Sequence, residues 1–298
     1  MTARLRVAVA GIPGAWSTDR LERALEGVGA ETFAFSLGDC TLSLSEGAVL
    51  LGDQDLGTLD GVVVKKLGRS GEAAAPSRVH LLQQLEFRGV RVFSPAAGIR
   101  EVNDRYQMTQ RLAQVGLPLP RTVVTESVEV ATDVVEDWGR VVVKPLYTSK
   151  GRGMLLLARE EAYRLKLKQW QRQWQTPFYL QEYVPHPGRD IGVAILGGET
   201  PGAYYRVARP GTWMTTTSAN GHYESCEVTS EIRRLACTAA ELFDLDFTVV
   251  DLVESRGGYL IYEVSAFGGF AGLWQTHGID AAKLYADHVV LTLAATGR

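Results

Sequence analysis

Short apolar runs and amphipathic stretches take turns along the chain, and the change of period between them predicts strands and helices. Residues 5–12 are apolar and short enough for a buried strand. A helix with Ser17 as its cap follows through residue 27, and residues 31–37 predict a second strand, making a β-α-β opening. Residues 41–56 alternate weakly among glycines, which suits a hairpin excursion. A buried strand over 59–65, a helix over 79–87 and a strand over 90–93 complete a small open α/β lobe that closes near Pro95. Lys65, Lys66 and Arg69 fall at the C-terminal end of the 59–65 strand, where open α/β sheets bind ligands; a solvated charge cluster reads the same way.

The pattern then turns helical over residues 103–115, with Asn103 or Asp104 as the cap and Gly116-Leu117-Pro118-Leu119-Pro120 as the stop. A strand over 121–125 and a helix through Asp137 lead to an apolar strand ending at Lys144, a basic glycine loop and a return strand over 154–157. In the helix over 159–175, Trp170 and Trp174 fit a packed stripe, and the Lys and Arg residues spread around the helix rather than forming a nucleic-acid platform. Strands over 178–184, 190–196 and 203–207 predict an antiparallel sheet, and residues 210–223 form the longest expected loop. An amphipathic helix over 231–245, a hairpin over 247–264 and a helix over 280–295 finish the chain. The expected fold class is α/β with α+β sublobes: an N-terminal open α/β lobe over 1–98, a central lobe over 99–178 and a C-terminal lobe over 179–298.

Composition narrows the partners. At 298 residues, 46% hydrophobic and 22% charged, the chain is globular and long enough for two or three lobes. A formal charge of −3 offers no general attraction to nucleic acid or to an anionic membrane, so small substrates are expected. Cys40, Cys226 and Cys237 are odd in number and widely spaced, which suits neither a disulfide framework nor a zinc site and fits a reducing cytoplasm. No apolar run approaches the length of a bilayer span, and no signal-peptide pattern precedes the first strand. The five dispersed histidines form no metal motif.

Two stretches carry candidate chemistry. The first runs from Arg140 to Met154. Val141, Val142 and Val143 suit a strand covered on both faces, and Pro145 ends it, so Lys144 is delivered at a strand terminus. Thr148, Ser149, Gly151 and Gly153 follow in a flexible loop whose N–H groups can turn toward an anion, with Lys150 and Arg152 adding charge. A plain hairpin loop with basic residues for solubility would have the same composition. It is not a Walker loop, and residues 10–14 are not a dinucleotide fingerprint. The second stretch is the last hairpin. With its turn centred on Gly257, Asp251 stands opposite Glu263, and like charges so placed repel. A divalent cation such as Mg²⁺ between them relieves the repulsion, with Ser265 adding a hydroxyl from the same face. A slipped register, a protonated acid or a basic partner would relieve it as well.

Taken in order, Asn103-Asp104-Arg105-Tyr106, the stretch from Val141 to Met154, Tyr179-Leu180-Gln181-Glu182-Tyr183-Val184, Val249-Val250-Asp251-Leu252-Val253 and Tyr262-Glu263-Val264-Ser265 resemble the ATP-grasp enzymes, specifically the RimK-like branch of amino-acid ligases that includes α-L-glutamate ligases. The resemblance covers the chain from about Asn103 onward and is weak before it. It implies an ATP-grasp fold behind a pre-ATP-grasp lobe. It implies that Lys144 contacts the nucleotide, that the loop of Ser149, Gly151, Arg152 and Gly153 covers the phosphates, and that Gln181, Glu182, Tyr183 and Val184 present the hinge to adenine with Asp190 near the ribose. Asp251, Glu263 and Ser265 would hold Mg²⁺, or Mn²⁺ in its place, and Arg206, Arg209 and Lys150 are the candidate catalytic cations. Three departures stand out: Arg105 where relatives carry lysine, Ser265 where they carry asparagine, and Met214-Thr215-Thr216 where they carry an arginine-containing loop. The implied activity is ligation of a small-molecule or peptide carboxylate to an amino-acid amine, such as glutamate, through an acyl phosphate with ADP as product. Ser265 and Met214 leave open an ATP-binding regulatory or scaffolding protein, and an ATP-grasp phosphotransferase is the third reading.

Overall fold

The computed structural model describes residues 4–69, 74–159, 162–215 and 220–296. In the N-terminal part, β1 (Arg6–Ala10), α1 (Trp16–Gly27) and β2 (Glu31–Phe35) form the expected opening. An antiparallel excursion of β3 (Cys40–Ser43), β4 (Ala48–Leu51) and β5 (Gln54–Asp55) then precedes β6 (Gly61–Val64), α2 (Val79–Phe87) and β7 (Arg91–Phe93). The main sheet runs β2-β1-β6-β7 with every neighbour parallel. Val7, Val9, Val62 and Val63 are fully buried, as central strands of a parallel sheet require. Helix α1 starts after Ala15 and takes no side-chain cap, so Ser17 is inside the helix rather than its cap.

A helix that was not expected precedes the one expected over 103–115. α3 (Ala96–Asn103) and α4 (Arg105–Gln114) meet at Asp104, whose carboxylate accepts from the N–H groups of Tyr106 and Gln107 and so caps α4.

The second sheet contains β8 (Thr122–Thr125), β9 (Arg140–Lys144), β10 (Leu155–Ala158) and β11 (Phe178–Glu182), ordered β10-β9-β11-β8 and antiparallel. Helices α5 (Val128–Trp138) and α6 (Tyr163–Trp174) cover one face, where Val141, Val143, Leu157, Phe178 and Leu180 pack with Ala131, Val135, Leu167 and Trp170. The period-two alternation of a strand sends Val142, Lys144 and Gln181 to the opposite face, which lines a cavity. Val141, Val142 and Val143 are all buried, as expected, the first and third beneath the helices and Val142 at the wall of the cavity.

The third sheet is β12 (Arg189–Leu196), β13 (Glu199–Val207), β14 (His222–Cys226), β15 (Phe247–Ser255) and β16 (Gly258–Val264), ordered β14-β13-β12-β15-β16 and antiparallel throughout. Ile191, Val193, Ile195, Val250 and Leu252 pack against α7 (Ser230–Glu241). Ala194, Tyr204 and Val249 on the other face share a core with α8 (Ala271–His277), which had no sequence signal, and α9 (Ala281–Ala295). β14 takes the end of the stretch expected to be loop.

Candidate active site

The middle sheet presents Lys144. Its Nζ donates to Gln181 Oε1 at 2.6 Å, one strand away, and lies 5.2 Å from the centre of the Tyr262 ring. Burial pushes this lysine down to about 7, the charge of Arg105 pushes the same way, and Glu263 and Asp251 oppose both. Arg105 is itself buried and ties down both ends of the loop entrance, donating to the Pro145 carbonyl and, at 3.0 Å, to that of Thr148. Its guanidinium also lies 3.6 Å from Glu263. In the loop, Lys150, Gly151 and Gly153 all take positive φ, at 59°, 71° and 74°. Gly153 has a packing reason to lack a side chain: a Cβ there would lie 2.2 Å from the Trp174 ring. Its carbonyl accepts from Trp170 Nε1 at 2.9 Å, so α6 anchors the loop's far end.

The third sheet presents the acids. Asp251 stands opposite Glu263 as expected, but by a different route. The turn is Arg256-Gly257, with Ser255 opposite Gly258, and an irregularity in the ladder between Asp251 and Leu252 leaves Tyr262 unpaired and shifts the register by one. Without it Asp251 would face Tyr262. On the neighbouring strands, Asp190 is opposite Arg206, and Gly192 is opposite both Tyr204 and Asp251. A Cβ at Gly192 would lie 2.7 Å from the Tyr204 ring, so glycine lets that ring cross the strand. Arg206 donates to Asp190 through Nε at 2.9 Å and Nη2 at 2.7 Å, and Nη2 lies 2.8 Å from Asp251 Oδ2. Burial pushes the Asp251 carboxyl upward, and the Arg206 charge counters it.

These faces enclose one cavity of about 910 Å³, within the range of small-molecule sites. It is lined by Arg105, Lys144, Ser149, Lys150, Gly151, Arg152, Gln181, Glu182, Tyr183, Asp190, Arg206, Asp251, Glu263 and Ser265. Three expected site residues do not line it. Gly153 is packed against Trp174, Val184 is buried, and Arg209 is exposed on the turn after β13. Met214 and Thr215 line it, and Thr216 lies outside the described residues. Sequence reasoning missed Tyr204, Tyr262, Thr176 and His186, which line it too, and left Lys66 and Arg69 undecided. Among the described residues, buried side-chain atoms without a hydrogen-bond partner are Asp251 Oδ1, Thr176 Oγ1, His186 Nδ1 and Thr32 Oγ1. All but Thr32 belong to residues of this cavity, which marks it as a place where a ligand completes the polar contacts.

Asp251, with an oxygen that lacks a hydrogen-bond partner and Glu263 opposite it on the neighbouring strand, fits a hard divalent cation, and Ser265 lines the same cavity. Among the described residues no group of three or more His, Cys, Asp or Glu side chains is arranged to hold a metal. Two carboxylates with the remaining shell from phosphate oxygens and water is the habit of Mg²⁺.

An antiparallel sheet bearing a lysine and a glycine loop, closed over a second antiparallel sheet bearing paired carboxylates, is the ATP-grasp arrangement. The chain belongs to the RimK-like ATP-grasp family: residues 102–289 match its RimK-like ATP-grasp domain. It is 27% identical to a tetrahydromethanopterin:α-L-glutamate ligase of Methanosarcina acetivorans over 93% of this chain and 96% of that one. Among solved structures it is similar to the ATP-grasp ligase PsnB complexed with a phosphomimetic variant of minimal precursor, Mg and ADP, with a TM-score of 0.75 at 20% identity, covering 96% of this chain and 98% of that one. A RimK-domain ATP-grasp protein of Sphaerobacter thermophilus gives a TM-score of 0.75 at 21% identity, covering 96% and 99%. The expected fold, including the weakly signalled N-terminal lobe, is the fold these structures share.

Proposed function

We propose that the protein is an ATP-dependent carboxylate–amine ligase working through an acyl phosphate. The observation that carries this reading is the gathering in one cavity of Lys144, the basic loop, the Asp251–Glu263 pair and three polar atoms that lack partners. Membership of the RimK-like family and the ligase names of its relatives support it.

In this reading Lys144 and the loop of Ser149, Lys150, Gly151 and Arg152 bind the phosphates of ATP, and Gln181, Glu182 and Tyr183 border the base. Asp251 and Glu263 would hold Mg²⁺, which would supply charge stabilisation for the transferred phosphoryl group. Arg206, fixed by Asp190, stands beside that pair and supplies fixed positive charge where the acid and phosphoryl group meet. A carboxylate oxygen of the acid attacks the γ-phosphorus and ADP leaves. An amine then attacks the acyl carbon, phosphate and a proton leave, and an amide remains. The loop, anchored through Arg105 and Trp170, keeps water from the acyl phosphate. The acid is a small molecule or peptide and the amine an amino acid, with glutamate the first choice from the relatives' names. Mn²⁺ serves the same oxygen donors. We divide the chain into lobes near residues 98 and 182, moving the second boundary from 178 because β11 completes the middle sheet. Among the described residues no helix is long and apolar enough to cross a membrane, and the cytoplasm remains the compartment we assign.

The test is nucleotide analysis after incubation with ATP, Mg²⁺, glutamate and a panel of carboxylic acids. The reading expects ADP released in an acid- and amine-dependent way. AMP as the product, or a stable phosphorylated acid that no amine consumes, would count against it.

A further inference from the structure

Lys65 and Lys66 leave the C-terminal end of β6 in opposite directions. Lys65 turns into the core, where its Nζ donates to the Gly268 carbonyl and sits 3.8 Å from the Phe270 ring centre. Lys66 turns into the cavity, with Arg69 lining the same wall. Its ammonium lies 5.5 Å from the Phe267 ring centre and has no hydrogen bond or ion pair to a described residue. The carboxylates of the cavity are already engaged: Asp190 and Asp251 by Arg206, Glu263 by Arg105, and Glu182 by Arg121. A cation left over in a cavity whose acids each already have an arginine partner is a site for an incoming anion.

The nucleotide's contacts are assigned to the second and third sheets. Lys66 and Arg69 come from the first, and a ligase of this class must hold a carboxylic acid as well as a nucleotide. The geometry points to Lys66, flanked by Arg69, as the group that binds a carboxylate of the acid substrate from the N-terminal sheet. This rests on the ligase reading and adds where the acid sits. Burial, and after it the charge of Lys150, pushes Lys66 down to about 8, so an arriving carboxylate favours the ammonium it needs. Position supports the same assignment, because an open α/β sheet offers its ligand contacts beyond the C-terminal strand ends.

The test is calorimetric titration of glutarate, a small dicarboxylate, into the full-length chain saturated with Mg·ADP, for the wild type, Lys66→Met and Lys66→Arg. Saturable binding is expected for the wild type, a loss of about 10-fold or more for Lys66→Met, and affinity within about threefold for Lys66→Arg. Mg·ADP should bind all three with affinities within about twofold, which also shows that the variants fold. Glutarate binding that is absent in the wild type or unchanged in Lys66→Met overturns the inference. A parallel fall in Mg·ADP affinity overturns it too, because Lys66 is then a phosphate contact. A wild type that fails to bind Mg·ADP at all overturns the ligase reading itself.

Discussion

Two strands of this chain run into the same four residues, Val-Val-Val-Lys, at 62–65 and at 141–144, and both lysines are buried, at 2% and 8% exposure. Lys65 continues the side of β6 that carries Val63, inside a core shared with Phe247, Phe270 and Tyr285, and its ammonium finds a carbonyl and two rings. Lys144 continues the side of β9 that carries Val142, which lines the cavity, and it meets Gln181 at the cavity wall. Burial pushes both lysines below their ordinary value. The motif alone does not separate a strut from a ligand contact. What separates them is whether the strand's second face is packed or left open.

That contrast can be broken by substitution. Lys144→Ala should weaken Mg·ADP binding about 30-fold, the loss of a charge-assisted contact, while the urea midpoint at about pH 7 does not fall, because the substitution removes an ammonium that burial disfavours. Calorimetry and a urea titration read the two numbers. Lys65→Ala should do the reverse, costing about 2 kcal/mol of stability from the cavity and the unpaired Gly268 carbonyl, with nucleotide affinity in the folded protein little changed. If Lys65→Ala abolished binding without loss of stability, the assignment of the two lysines would be inverted.

Two smaller effects sharpen the comparison. Asp251→Asn should lower Mg²⁺-dependent nucleotide affinity about 10-fold and leave metal-free binding alone, measured by titrating ADP with and without Mg²⁺. The lysines' titration gives the smallest effect. Lys144 is held at about 7 in the folded chain against 10.5 for the free group, so between those values the unfolded chain binds more protons and stability rises with pH. A nucleotide needs the ammonium, so its affinity should fall about eightfold from about pH 6.5 to about pH 8. The slope should vanish in Lys144→Ala and persist in Lys65→Ala.

Much of this site was legible because strands repeat every second residue. Alternation placed Asp251, Glu263 and Ser265 on one face without any knowledge of sheet order, and Pro145 marked Lys144 as the end of its strand. Even so, the Asp251–Glu263 pairing depends on the unpaired Tyr262, a backbone irregularity that no residue type announces. Arg206 was read as a candidate catalytic cation and not as the partner of Asp190 and Asp251, because that contact requires β12 to lie between β13 and β15. Gly153 shows what the sequence could not separate: a glycine in a basic loop reads as phosphate chemistry, and the packing of Trp174 on α6 against it is a reason that only the fold supplies. In the fold, the parallel N-terminal sheet was plain from its apolar runs, while α3 and α8 were missed because Gly98 and Gly272 weaken short helices.

The acyl phosphate is the centre of the account, and oxygen transfer tests it most directly. The acid that supports ADP release would be prepared with its carboxylate labelled with ¹⁸O and turned over with ATP, Mg²⁺ and the amine, and the phosphate examined by ³¹P NMR. The account predicts one labelled oxygen in each phosphate released, carried over when the carboxylate attacked the γ-phosphorus. Phosphate without label, formed alongside the amide, would contradict it.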